Sequence, residues 1–103
     1  MIVIAHDDAL PELRPGFAEL PGNARNRFEL FAELSTALEL PEYFGHNWDA
    51  VEECLGDLDT SRDLVVRNAR ALWERLPREM TLLVDIWLDQ LPHASLVFVW
   101  ELA

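Results

Sequence analysis

Residues 40–58 read Leu-Pro-Glu-Tyr-Phe-Gly-His-Asn-Trp-Asp-Ala-Val-Glu-Glu-Cys-Leu-Gly-Asp-Leu. Pro41 and Gly45 punctuate a loop. Asn47 is placed to cap a helix, because its side-chain oxygen can accept a free first-turn amide. From there Val51, Cys54, Leu55 and Leu58 fall at i, i+3, i+4 and i+7, one apolar stripe. Asp49, Glu53 and Asp57 follow one another in steps of four on the opposite side, with Glu52 beside them. The spacing predicts a short helix with one apolar face and one acidic face.

The acidic face is costly to its own helix. Asp49 in the first turn suits the helix dipole, but Asp57 sits near the negative end. The like-charged neighbours Asp49/Glu53 and Glu53/Asp57 cost about 0.2–0.5 kcal/mol each. A solvated face normally mixes signs, yet no Lys or Arg occurs between Phe28 and Ser61. A docking surface for a basic partner accounts for that one-sidedness; a merely solvated face leaves it without a reason.

The charge of the whole chain points the same way. It carries 19 acids against 8 bases over 103 residues, a formal net charge of −11. All the bases are Arg, at positions 14, 25, 27, 62, 67, 70, 75 and 78, so the middle of the chain is purely acidic. Nucleic-acid binding is disfavoured, because phosphate contacts need clustered cations. A basic protein is the partner such a field attracts. No apolar run approaches the ~20 residues of a membrane helix. The start, Met-Ile-Val-Ile-Ala-His-Asp-Asp, lacks the features of a signal peptide. One Cys excludes an internal disulfide and suits a reducing compartment. A cytoplasmic location is expected, and a monomer when free.

Outward from the central stretch, half the residues are hydrophobic, enough for the core of a single domain over residues 1–103. Ile2 to Ala5 is expected to be a short buried strand. Residues 9–25 hold Pro11, Pro15, Gly16, Pro21 and Gly22 and read as a loop with a turn of helix around Phe17 to Leu20. Asn26 with Glu29 resembles a capping box. The first helix is expected to run from there to about Leu38, with Phe28, Leu30, Phe31, Leu34, Ala37 and Leu38 inward and Glu29 and Glu33 outward. Leu64 to Val66 is the second strand. Asn68 is read as the cap of a short helix through Leu72, Trp73 and Leu76. A fourth helix runs from about Arg78 to Leu91, with Met80, Leu83, Val84, Trp87, Leu88 and Leu91 on one face and Asp85 and Asp89 away from it. Leu96 to Trp100 is an unbroken apolar run, as in a strand covered on both faces. The order β-α-α-β-α-α-β makes an α/β domain whose helical crossovers force the strands parallel.

The pattern Leu-Pro-Glu-Tyr-Phe-Gly-x-Asn-x-Asp-Ala-x-x-x-Cys-Leu over Leu40–Leu55 resembles the signature of the barstar family, intracellular protein inhibitors of small secreted bacterial ribonucleases. The resemblance implies a three-stranded parallel sheet flanked by helices. It also implies inhibition of a small basic ribonuclease whose phosphate-holding cations a carboxylate can occupy. The family's loop aromatic, Gly and Asn carry over onto Tyr43, Gly45 and Asn47, and its first helix acid onto Asp49. Its plugging acid carries over onto Glu53, longer than the usual Asp. At Glu52 the well-known pattern has an aromatic, so the target enzyme is expected to have a different rim. The partner-binding set is then Tyr43, Gly45, Asn47, Trp48, Asp49, Glu52, Glu53 and Asp57, with Asp89 adding to the acidic surface and Trp48 at its edge.

Catalysis finds little footing. His6, His46 and His93 show no metal-ligand spacing. Cys54 lies on the apolar face of an acidic helix, which disfavours a thiolate. No phosphate-cradling Gly-rich loop and no nucleophile elbow occurs. The paired Glu52 and Glu53 are a weak acid/base pair without a pocket. No cofactor and no metal are expected. An acidic adaptor binding some other basic protein on the same helix is the alternative, and a small hydrolase a more distant one. The remaining tryptophans, Trp73, Trp87 and Trp100, read as core.

Overall fold

Four parallel strands form one sheet, in the order β1-β4-β3-β2. They are β1 (Ile2–Ala5), β2 (Ala18–Leu20), β3 (Leu64–Val66) and β4 (Leu96–Val99). The helices are α1 (Arg27–Ala37), α2 (Trp48–Gly56), α3 (Ala69–Arg75) and α4 (Pro77–Gln90). The structure is a computed structural model that describes residues 1–40, 47–57 and 62–101. The expected α/β class stands, with four helices against a parallel sheet.

The sheet order decides where the helices go. Parallel crossovers are right-handed. From β2 to β3 and from β3 to β4 the chain steps in one direction along the sheet, so both helical crossovers fall on one face. From β1 to β2 it steps in the other direction, across the full width of the sheet, so residues 6–17 fall on the opposite face. The side chains sort accordingly. On one face Leu20, Leu64, Val66, Leu96 and Phe98 meet Leu30, Phe31 and Leu34 of α1, Val51 and Leu55 of α2, Leu72 of α3, and Met80, Leu83 and Trp87 of α4. On the other face Val65, Val97 and Val99 pack with Val3, Ala5, Leu10 and Leu13. β4 lies inside the sheet and is buried along its whole length, as its apolar run predicts.

Local chemistry sets the helix ends. The Asn26 side chain accepts the Glu29 N–H at 2.9 Å, while the Glu29 carboxylate reaches back to the Arg25 N–H, one residue before the cap. Pro77 occupies the first turn of α4, where its missing N–H costs nothing. Trp87 is fully buried, and its indole N–H donates to the Ala94 carbonyl at 3.1 Å. Trp73 and Trp100 are partly buried against the same core.

Several expectations need correction. Residues 18–20 are a strand where a helical turn was expected, so the sheet has four strands and not three. Pro15, Gly16, Pro21 and Gly22 bound that strand. Gly22 is held at φ 77° so close to β3 that a Cβ would sit 1.8 Å from the Arg67 carbonyl oxygen. β1 is not buried. It is an edge strand, and Ile4 is 68% exposed because no described helix reaches that edge. Phe28 points outward, 60% exposed, with the Arg27 guanidinium 5.0 Å above its ring. Leu88 is likewise on the exposed side of α4. Glu33 is not a solvated residue: its carboxylate accepts the N–H groups of Gly22 and Asn23. Asn68 precedes α3 in a left-handed conformation and does not cap it with its side chain, which donates to the Pro21 carbonyl instead.

The residue that ties the parts together is Asp63, the buried charged group of the described residues, 4% exposed. Its carboxylate accepts the Ser95 N–H at 2.9 Å, the Arg14 N–H at 3.1 Å and the Arg14 guanidinium at 2.9 Å. Its carbonyl accepts the Ala18 N–H at 2.8 Å. It thereby joins the starts of β2, β3 and β4 to the segment between β1 and β2. Burial alone would raise its pKa, but these donors and the Arg14 charge outweigh it and bring the pKa down to about 2.

A depressed carboxylate pKa stabilises the fold fully above the unfolded value, near 4, and loses that contribution as pH falls through about 2. We predict that Asp63→Asn lowers stability at pH 6 by about 2 kcal/mol. The gap to wild type should narrow between pH 4 and pH 2 in denaturant titrations. A gap of constant size over that range would contradict the assignment.

Candidate functional site

The site is built on α2. Asn47, in extended conformation, accepts the Ala50 N–H at 2.8 Å and starts the helix as its sequence predicts. Val51 and Leu55 are buried in the main core, and Trp48 sets its ring edge-on to Phe31 at 5.1 Å. These contacts, with packing against α4, fix the rotation of the helix. Asp49, Glu52, Glu53 and Asp57 are consequently held outward and exposed. Leu58, expected to complete the apolar stripe, lies outside the described residues, as do Tyr43 and Gly45.

The four carboxylates surround one open depression of about 530 Å³, completed by Gly56 and Gln90. Gly56 lets the Gln90 side chain come close: a Cβ there would stand 2.7 Å from the Gln90 Oε1. Gln90 comes from α4 and donates through Nε2 to the Asp89 carboxylate at 3.0 Å. Asp89, expected to add to the acidic surface, is exposed on α4 but does not line the depression. Gly56 and Gln90 were not among the expected site residues. Neither residue carries a local signal in the sequence that the two meet.

The electrostatics are one-sided. The ion pairs among the described residues join Arg14 to Asp63, Arg25 to Glu29, Arg62 to Glu39, Arg67 to Asp7 and Glu19, and Arg70 to Glu74. None reaches Asp49, Glu52, Glu53 or Asp57. The carboxylates of α2 therefore repel one another with no cation among the described residues paired to offset them. The half-buried Trp48 ring anchors the helix start and does not line the depression. Among the described residues no group of His, Cys, Asp and Glu has the geometry of a metal site.

Cys54 is half-buried rather than buried. Burial pushes its thiol pKa up, and the charges of Glu53 and Asp57 push it further. A nucleophile needs the reverse, an electropositive setting.

A family model described as Barstar (barnase inhibitor) matches residues 20–95, well over half of the chain. The match spans β2's last residue, all four helices and β3, and so contains every residue of the depression. None of the curated proteins matches the chain.

Cys54 gives a test of this packing. Its raised pKa and partial burial should make alkylation at pH 8 slower than in the urea-unfolded chain by about tenfold or more. Cys54→Ala should cost about 1 kcal/mol and leave the acidic face unchanged. A native thiol that reacts as fast as the unfolded one would contradict the placement.

Proposed function

The chain belongs to the barstar family, and we propose that it inhibits a small basic ribonuclease by laying the acidic face of α2 over the enzyme's phosphate-binding site. The observation that carries the proposal is the depression ringed by Asp49, Glu52, Glu53 and Asp57, none of which is ion-paired among the described residues. A ribonuclease holds its substrate's phosphate with cations. A carboxylate on a rigid helix can stand in the phosphate's place and exclude RNA without any chemistry of its own. The family is one of inhibitors, and the proposal gives the chain no catalytic step.

The residues divide by role. Glu53, at the middle of the acidic row, is the plug. Asp49 and Asp57 flank it one turn away on either side. Glu52 takes the place where the family pattern has an aromatic, adding charge where a ring would add area. Asn47 and Trp48 fix the start of the helix against the core, so the carboxylates arrive without a loss of order on binding. Tyr43 and Gly45, in the loop before α2, are proposed to contact the rim of the enzyme. The longer Glu53 suits a target whose cations sit deeper than those met by an Asp. The proposal has the protein act in the cytoplasm, on a ribonuclease the cell makes or receives.

Glu53→Ala should weaken inhibition by about 2–5 kcal/mol, because the partner's cations are left buried and unpaired. That range is set by the best-known complex of this same family. The variant should melt no lower than wild type, since it relieves repulsion from Asp49 and Asp57. Glu53→Asp should inhibit a barnase-type enzyme better and the natural target worse. The check is inhibition of ribonuclease by the three proteins, with thermal melts alongside. Undiminished inhibition by a folded Glu53→Ala protein would place the interface elsewhere. Binding without inhibition would favour the adaptor reading.

Association should also be steered. The on-rate should fall as ionic strength rises from about 0.01 to 0.5 M, more steeply than the dissociation rate changes. Stopped-flow mixing at several salt concentrations measures both. An on-rate indifferent to salt would exclude the acidic face as the docking surface.

A further inference from the structure

The helix-free face of the sheet is kept dry by an unusual cover. Val65, Val97 and Val99 are almost fully buried there, although the described helices all pack on the other face. What lies over them is the 6–17 segment, whose regular structure is a single 3-10 turn at Asp7–Ala9. Its own apolar grip is slight. Leu10, Pro11 and Leu13 are half-buried, while Glu12, Arg14, Pro15 and Gly16 face solvent.

The segment is held mainly by polar ties along its margins. Arg14 gives its backbone N–H and its guanidinium to Asp63. The Arg62 Nε donates to the Gly16 carbonyl at 3.0 Å. Arg67 pairs with Asp7 of the segment as well as with Glu19 of β2. The two ends of the segment are fixed independently. β1 is paired to β4 and β2 to β3, at opposite edges of the sheet. Lifting residues 6–17 therefore breaks these ties without unpairing a strand and without moving a helix.

We propose that residues 6–17 are a latched cover that opens as one unit, with the Arg14–Asp63 contact as its bolt, while the sheet, the helices and the acidic face of α2 stay folded. Opening wets three valines, so the open form is a minor population, reached far more often than global unfolding. The cover precedes the residues matched by the family model and belongs to the opposite side of the sheet from α2. It is the segment in which proteolysis of the folded protein should begin.

Native-state hydrogen exchange in low denaturant tests this on the wild-type chain, with no ribonuclease in the experiment. The Arg14 amide, bonded to the Asp63 side chain, reports the cover. The Ala18, Leu64 and Leu96 amides, bonded to the carbonyls of Asp63, Ser95 and Met1, report the sheet. The Arg14 amide should exchange through an opening with a small but definite denaturant dependence, and the other three through one that depends on it fully. In Arg14→Ala, thermolysin cleavage between Leu10 and Phe17 should speed up by about tenfold or more, with the sheet amides protected as before. An Arg14 amide that tracks Leu64 and Leu96 would overturn the proposal. So would unchanged cleavage of Arg14→Ala, or global unfolding of that variant, since the bolt would then belong to the cooperative core.

Discussion

A parallel sheet has two faces to keep from water, and the handedness of its crossovers decides what can cover each. Here the strand order β1-β4-β3-β2 sends both helical crossovers to one face and leaves the other to a single stretch without a helix. Most of the structure follows from that division. The four helices share one core, centred on Trp87, Phe31 and Phe98. The valine face rests under residues 6–17, pinned by a carboxylate whose three donors hold it ionised in a buried place. Asp63 is costly to bury and its donors offset that cost, so removing its carboxylate charge is felt at the starts of three strands.

The same division separates stability from function. Charges that serve the fold are paired: Arg14 with Asp63, Arg62 with Glu39, Arg67 with Asp7 and Glu19. Charges on α2 have no ion-pair partner among the described residues and are packed side by side, at a cost the helix bears through Val51, Leu55 and the Trp48–Phe31 contact. Such an arrangement suits a surface whose counter-charges come from another molecule. The rigid part of the site is supplied by packing and the cap. The affinity it is proposed to develop is supplied by the partner's cations, which is why association is expected to respond to salt while the fold responds to acid.

Much of this was legible in the sequence, for identifiable reasons. The period of Val51, Cys54 and Leu55 and the Asn47 cap are strong local signals, and both hold; the apolar run Leu96–Trp100 gives a fully buried strand that ends one residue sooner, at Val99. β2 was missed because four residues between Pro-Gly and Pro-Gly pairs carry too little pattern; only pairing with β3 makes three of them a strand. Phe28 and Leu88 have the right spacing to face inward, yet stand at the margins of their stripes where no neighbour arrives to cover them. Asp63 looked like one more acid after a turn, since its partners Arg14 and Ser95 are 49 and 32 residues away. The meeting of Gly56 with Gln90 was invisible for the same reason: it is made by the packing of α2 on α4, not by either helix alone.

The central claim is that the carboxylate row of α2 is the face that meets a basic ribonuclease. Its most direct measurement is an amide footprint, recorded by NMR on the labelled chain with and without a catalytically inactive barnase-type enzyme. The account predicts shifts and exchange protection concentrated at residues 47–57 and at Gln90, with Val3, Leu10, Leu13 and Phe28 unchanged. A footprint centred on β1, on residues 6–17 or on the start of α1, with the α2 amides undisturbed, would contradict it.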